Sequence, residues 1–340
     1  MNDVAVQLPN AQRPTPNAQR PTPELLSSSG RIQEVDALRG FAIFLVILAH
    51  SIIFFPVNLH EVFWCNALFT WIDSVYMPLF FVIAGFCYSC RDYSAYIRKK
   101  FMRLVVPYVV FSLIDMLPRQ LLASLVNRPR PFAESITKAL FYGGEFWFIY
   151  TLFVIFMIYP FIHRLIRNSR VLMIIACAVF LELRLHGVPV RIFMIGHAMR
   201  FLFFFHLGVT VKMFIGNEWP RSKISVFVMP LMLVIWLVLL WGVKGFRMTT
   251  TLTGIITCCL FAEYRVFNKV FARFGGYSLQ IYLMNGMTLG ISRAIICNVF
   301  HVYNSVAIVA FNVFVDLLVS YMLIKYVFSR VRLIRILMGM

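Results

Sequence analysis

"VDALRGFAIFLVILAH", residues 35–50, decides how the chain is read. From Phe41 the stretch is apolar enough to enter a bilayer, yet the run carries a titratable ring at His50. A polar side chain in the hydrocarbon zone persists where it has a partner or a task. An α-helix advances about 100° and about 1.5 Å per residue, so Arg39 and His50 share one face, about 16 Å apart along the axis. Asp36 falls within about 40° of that stripe and is spaced to pair with Arg39 at i,i+3. With Arg39 at the cytoplasmic lip, His50 sits near mid-membrane, and the face forms a polar track inward from the cytosol.

The rest of the chain supports a membrane setting for this segment. Of 340 residues, 61% are hydrophobic and 14% charged, a balance that excludes a soluble domain. Mean hydropathy is +0.80. The expected fold is all-α and polytopic, with about ten transmembrane helices near 41–57, 70–90, 104–126, 146–162, 171–183, 192–215, 224–243, 248–264, 275–299 and 304–328. Pro78 is expected to break the second of these. The net charge of +18 is scattered singly and in short clusters between apolar runs, which speaks for membrane topology and against a nucleic-acid partner. With both termini placed in the cytoplasm, most of the 32 Lys and Arg fall on the inner side.

Residues 1–30 repeat "PNAQRPT" at 9–15 and 16–22 and are too polar to pack, so they read as a disordered Pro/Gln-rich cytoplasmic tail. No cleavable signal peptide is expected there. The membrane domain covers 31–335. Seven cysteines lie in or beside apolar runs, and the Cys87-x-x-Cys90 pair has no second pair to complete a metal site, so they read as small packing residues. No metal is expected.

Chemistry then rests on polar groups inside the helices: His50, Asp73, Asp115, His197, Arg200, His206, Arg293 and Asp316. A second cluster, "RDYSAYIRKKFMRLVVPY" at 91–108, places five basic residues on the cytoplasmic side. It serves equally as a positive-inside signal and as a site for phosphates, which take charge-assisted hydrogen bonds from Arg and Lys.

These segments resemble the acyltransferase 3 family of integral-membrane O-acyltransferases over about residues 31–335. "VDALRGFAIFLVILAH" matches the family's Asp-x-Leu-Arg-Gly opening and its arginine, ten residues, histidine spacing, carried by Arg39 and His50. "MPLFFVIAGF" (77–86), "KKFMRLVVPY" (99–108), "FWFIYTLF" (146–153), "FFFHLGV" (203–209) and "GGYSLQIYLMN" (275–285) follow in the family's order. Two positions depart from the pattern. Lys100 stands where the basic turn has its first arginine, with Arg103 kept as the second, and Asn285 stands where a late histidine often closes, which excludes catalysis by histidine there.

The resemblance implies transfer of an acyl group, acetyl above all, from cytosolic acetyl-CoA to a hydroxyl of a cell-envelope sugar, by a stand-alone enzyme of the bacterial inner membrane. The expected partners are acyl-CoA, a saccharide acceptor and membrane lipid. In this reading Arg39, Lys100 and Arg103 meet the phosphates of the CoA moiety, and the pantetheine arm runs along the Asp36–Arg39–His50 face. His50 is the base that activates the hydroxyl, and Asp36 orients Arg39. On the acceptor side, Glu145 and Trp147 suit a sugar, although an interfacial aromatic belt explains Trp147 equally well. His197 and Arg200 either line the same region or pair with Asp115 or Asp316. The rival reading is a transporter or flippase for an envelope glycan, which predicts related halves that the sequence does not display. A catalytically dead binding or sensing relative is a third.

Overall fold

The computed structural model describes residues 32–53, 58–121, 131–190, 192–216, 225–242 and 247–340. The expected disordered tail lies outside the described residues. All regular structure among them is helical: α1 (Gln33–Ile53), α2 (Phe63–Asp73), α3 (Tyr76–Phe86), α4 (Tyr93–Lys100), α5 (Val106–Leu121), α6 (Phe132–Tyr142), α7 (Trp147–Ile166), α8 (Arg170–His186), α9 (Ile195–Ile215), α10 (Ser225–Gly242), α11 (Arg247–Phe261), α12 (Arg265–Gly275), α13 (Ser278–Ala294), α14 (Ser305–Met322) and α15 (Arg332–Leu337). Five helical stretches are long and apolar enough to cross a bilayer by length and composition: Gln33–Ile53, Phe63–Phe86, Phe132–Ile166, Ile192–Ile215 and Ser305–Arg330. Leu165, Val171, Val238 and Phe314 expose apolar side chains on the outside of the bundle, as lipid contact requires. The chain is a multi-pass membrane protein.

Three boundaries differ from the sequence reading. The second apolar run breaks at Ser74–Val75, between α2 and α3, and Pro78 lies in the first turn of α3. A first-turn proline lacks only an N–H that has no partner inside the helix. Residues 132–142, expected as loop, form α6. Residues 265–275, expected as a basic connection, form the amphipathic α12.

α12 lies along α1, and α3 along α9, as the most extensive helix pairs. Glycine permits both approaches. A side chain at Gly40 would overlap the Phe271 carbonyl, and one at Gly275 the Asp36 carbonyl. Gly85 sits in the same way against the Phe205 carbonyl. Lipid tails are as apolar as leucine, so helices in a bilayer gain from close backbone packing of this kind. The result anchors the Asp36–Arg39 end of α1 while the other face of the helix stays half-buried.

α4 and α5 are joined through a π-helical turn at Phe101–Val105, in which the Val106 N–H donates to the Phe101 carbonyl. Such turns carry one extra residue within an otherwise α-helical run and are frequent at functional sites. Arg103 lies within it.

Candidate active site

The apolar residues of α1 face the core: Leu38, Ile43, Leu45, Val46 and Ile47 are buried. Asp36, Arg39 and His50 are half-buried on the remaining stripe. Asp36 Oδ1 accepts from Arg39 Nη1 at 3.1 Å, the i,i+3 pair expected from the spacing. His50 Nδ1 lies 2.8 Å from the Val46 carbonyl. A carbonyl only accepts, so Nδ1 carries the hydrogen, and in the neutral ring Nε2 holds the lone pair that a base needs.

Glu145 reaches the same region from another part of the chain. Its approach is set by Gly143 and Gly144, whose φ values of 73° and 53° are left-handed and favour glycine. Both N–H groups close on the Lys138 carbonyl and end α6. α6 is itself docked by two tyrosines: Tyr108 donates to the Ala139 carbonyl at 2.6 Å and Tyr150 to the Leu140 carbonyl at 3.0 Å. The turn delivers the Glu145 carboxylate within electrostatic reach of both His50 and Tyr282. Lys138 Nζ pairs with it at 3.4 Å. Glu145, assigned from sequence to the acceptor, is thus a neighbour of the α1 histidine. Tyr282 was not singled out from sequence, although it is the second tyrosine of "YSLQIYLMN". Its ring packs against Phe146 and Phe148 at centroid distances of 6.2 and 5.5 Å, on either side of Trp147 in the chain.

The basic residues gather at the other end of the α1 stripe. Arg39 Nη2 donates to Cys87 Sγ at 3.1 Å. Lys100 Nζ lies 3.8 Å from the Phe156 ring centroid and 5.3 Å from that of Tyr96. Burial there, helped by the like charges of Arg103, Lys99 and Arg39 and opposed by Cys87, pushes the Lys100 ammonium down to about 8. Arg103 is exposed on the π turn, and the main chain beside it is capped by Gly339, which abuts the Arg103 carbonyl. Arg39 on α1, Lys100 at the end of α4 and Arg103 in the π turn therefore form one electropositive patch with a thiol in it.

The remaining expected residues form a separate group. Trp147 stacks obliquely on His197 at 5.7 Å and on Phe201 at 5.8 Å. Arg200 lies against the Gly187 main chain and within electrostatic reach of Arg184 and His197. Arg184 in turn sits over the Phe201 and Phe204 rings. The suggested pairing of His197 or Arg200 with Asp316 is corrected: Asp316 accepts instead from Thr288 and Ser320, on α13 and its own helix α14. His206, buried, bonds Tyr159 at 2.8 Å and the Met173 carbonyl at 2.9 Å, and is a packing residue with both ring nitrogens engaged. Among the described residues, no group of three His, Cys, Asp or Glu side chains is placed to hold a metal ion.

A basic mouth, a polar helix face about 16 Å long and a histidine with its base nitrogen defined, within electrostatic reach of a carboxylate, make an arrangement suited to moving an acyl group along a helix face. No curated protein and no solved structure matches the chain. The acyltransferase 3 profile, described as an acyltransferase domain, matches residues 32–325, which takes in α1 through α14 and every residue of the candidate site except Gly339. The chain belongs to this family of membrane acyltransferases.

Proposed function

We propose that the protein is an O-acetyltransferase of the bacterial inner membrane, moving acetyl from cytosolic acetyl-CoA to a hydroxyl of a cell-envelope saccharide. The observation that carries this reading is the His50 ring, fixed by the Val46 carbonyl, with the Glu145 carboxylate within electrostatic reach and Arg39 at the other end of the same helix face. The topology belonging to it has about ten spans with both ends in the cytoplasm. Cysteine accessibility from either side of sealed vesicles tests that part.

In this reading the phosphates of acetyl-CoA dock at Arg39, Lys100 and Arg103. The donor set fits: a guanidinium paired on one edge with Asp36, a desolvated ammonium and a second, exposed guanidinium. The extended pantetheine arm spans about the 16 Å between Arg39 and His50. His50 Nε2 removes the proton as the sugar oxygen attacks the thioester carbonyl. The tetrahedral intermediate collapses with cleavage of the C–S bond, and the proton passes from His50 to the departing thiolate. Products are the acetyl ester and free CoA, with no net proton released. Glu145 stabilises the imidazolium formed midway. Trp147 and His197, with Arg200 nearby, present stacking and hydrogen-bonding surfaces to the saccharide.

The test is the O-acetyl content of surface polysaccharide, by proton NMR, in a deletion strain complemented with wild type or His50→Ala. An acetyl signal restored by wild type alone supports the assignment. Unchanged acetylation in the His50→Ala strain overturns it, and loss of the whole polymer in the deletion strain favours a flippase.

A further inference from the structure

Away from the α1 face, helices α13 and α14 meet along a polar seam that the proposed acyl transfer does not use. On α13, Asn285, Thr288 and Ser292 follow one another at three- and four-residue spacing. On α14, Asn312, Asp316 and Ser320 follow at four. Each set lies on one helix face, and all six side chains are buried, Ser292, Asn312, Asp316 and Ser320 completely. The two rows interlock: Ser292 donates to Asn312 Oδ1 at 2.6 Å, Thr288 to Asp316 Oδ1, and Ser320 to the same Oδ1 at 3.0 Å.

Two acceptors of the seam lack a donor. Asp316 Oδ2 and Asn285 Oδ1 are buried with no hydrogen-bond partner. Among the described residues no lysine, arginine or histidine partners Asp316, whose hydrogen-bond partners there are the two hydroxyls. By the helical rise Asp316 stands about 16 Å along α14 from Ser305, deep in a bilayer about 30 Å thick. A carboxylate with no countercharge at that depth is among the most expensive groups a membrane protein can bury. Asn312 Nδ2 is likewise buried without an acceptor. Turning that amide over lets Nδ2 donate to Ser292 Oγ and brings Oδ1 into the seam as another acceptor, and amide orientation is set by just such networks.

We infer that the α13–α14 seam binds an alkali-metal cation, with Asp316 supplying the charge and Thr288, Ser320 and Asn285 supplying neutral oxygens. One carboxylate neutralises a monovalent ion, whereas a divalent ion would leave a net positive charge in the hydrocarbon zone. Hydroxyls that now donate to Asp316 rotate to present lone pairs to the ion at no cost in backbone geometry. The ion ties α13 to α14, and α13 carries Tyr282, one helical turn before Asn285. The site is thereby a structural support beneath the Tyr282 wall, and it stands whether or not the acyl-transfer assignment holds.

The experiment is thermal unfolding of the purified full-length protein in detergent, in NaCl or KCl against choline chloride at equal ionic strength, followed by tryptophan fluorescence. A ligand that binds only the folded state raises the midpoint with the logarithm of its concentration. Wild type is expected to show a rising midpoint with Na+ or K+ and none with choline. Asp316→Asn is expected to abolish the rise and Ser320→Ala to shift it to higher ion concentration. The Ser320 variant covers the case in which Asp316→Asn does not fold. No alkali-dependent midpoint in wild type overturns the inference in favour of a neutral carboxyl. A rise of undiminished size and ion dependence in Asp316→Asn, or in Ser320→Ala where only that variant folds, overturns it in favour of a site elsewhere.

Discussion

Arg39 on α1 donates a hydrogen bond to the Cys87 sulfur just past the end of α3, 3.1 Å away, at the mouth of the basic patch. The thiol is exposed. Acetyl-CoA bound at Arg39 and Lys100 would cover Cys87. Alkylation of Cys87 by a small maleimide, read by mass spectrometry, is therefore expected to slow severalfold with saturating CoA, and to be indifferent to CoA in Arg39→Ala.

Lys100 gives the donor site a pH dependence. Its ammonium is pushed down to about 8, so its charge is lost as pH rises through that value; an ordinary lysine loses it about two units higher. Anion affinity that uses this charge is full below about pH 7 and falls above pH 8. The apparent KM for acetyl-CoA is expected to rise between pH 7 and 9. Lys100→Arg, charged throughout that range, should flatten the rise.

Glu145 is expected to act on turnover. If its charge stabilises the His50 imidazolium, Glu145→Gln lowers kcat about 10- to 100-fold, or about 1.4–2.7 kcal/mol, with KM for the acceptor little changed. A variant that raises acceptor KM at constant kcat would return Glu145 to sugar binding alone.

The α1–α12 contact sets the position of the whole polar stripe. Gly40→Val forces a branched side chain into the Phe271 carbonyl, and overpacking of this kind destabilises by about 1–3 kcal/mol or more. The thermal midpoint is expected to fall and acetyl transfer to drop with it, while Gly286→Ala, where a Cβ meets nothing within 4 Å, leaves both unchanged.

The α1 face was legible because it is local: Asp36, Arg39 and His50 lie on one helix, and helical geometry alone places them. Of the spans expected from apolar run length, five coincide with helical stretches among the described residues that are long and apolar enough to cross a bilayer. α12 was misread as a connection because its basic residues are what an inner loop also shows. Its apolar face became meaningful only once Phe41 of α1 was seen packed on Phe267 and Phe271. Glu145 comes within electrostatic reach of His50 through a left-handed Gly143–Gly144 turn and an intervening helix, and no periodicity reports an approach between separate elements. The Asn285–Ser320 seam was half visible: Asp316 stood out as an intramembrane acid, whereas its hydroxyl partners are residue types that membrane helices carry routinely.

The single surplus residue in the Phe101–Val105 turn has a geometric meaning of its own. An added residue rotates everything before it by about 100° relative to everything after. Lys99 and Lys100 thus point where they do because the helix slips phase between them and α5. Register here behaves as a dial: removing one of the apolar residues Phe101, Met102, Leu104 or Val105 would leave every charge in the sequence intact and still aim the ammonium groups away from Arg39.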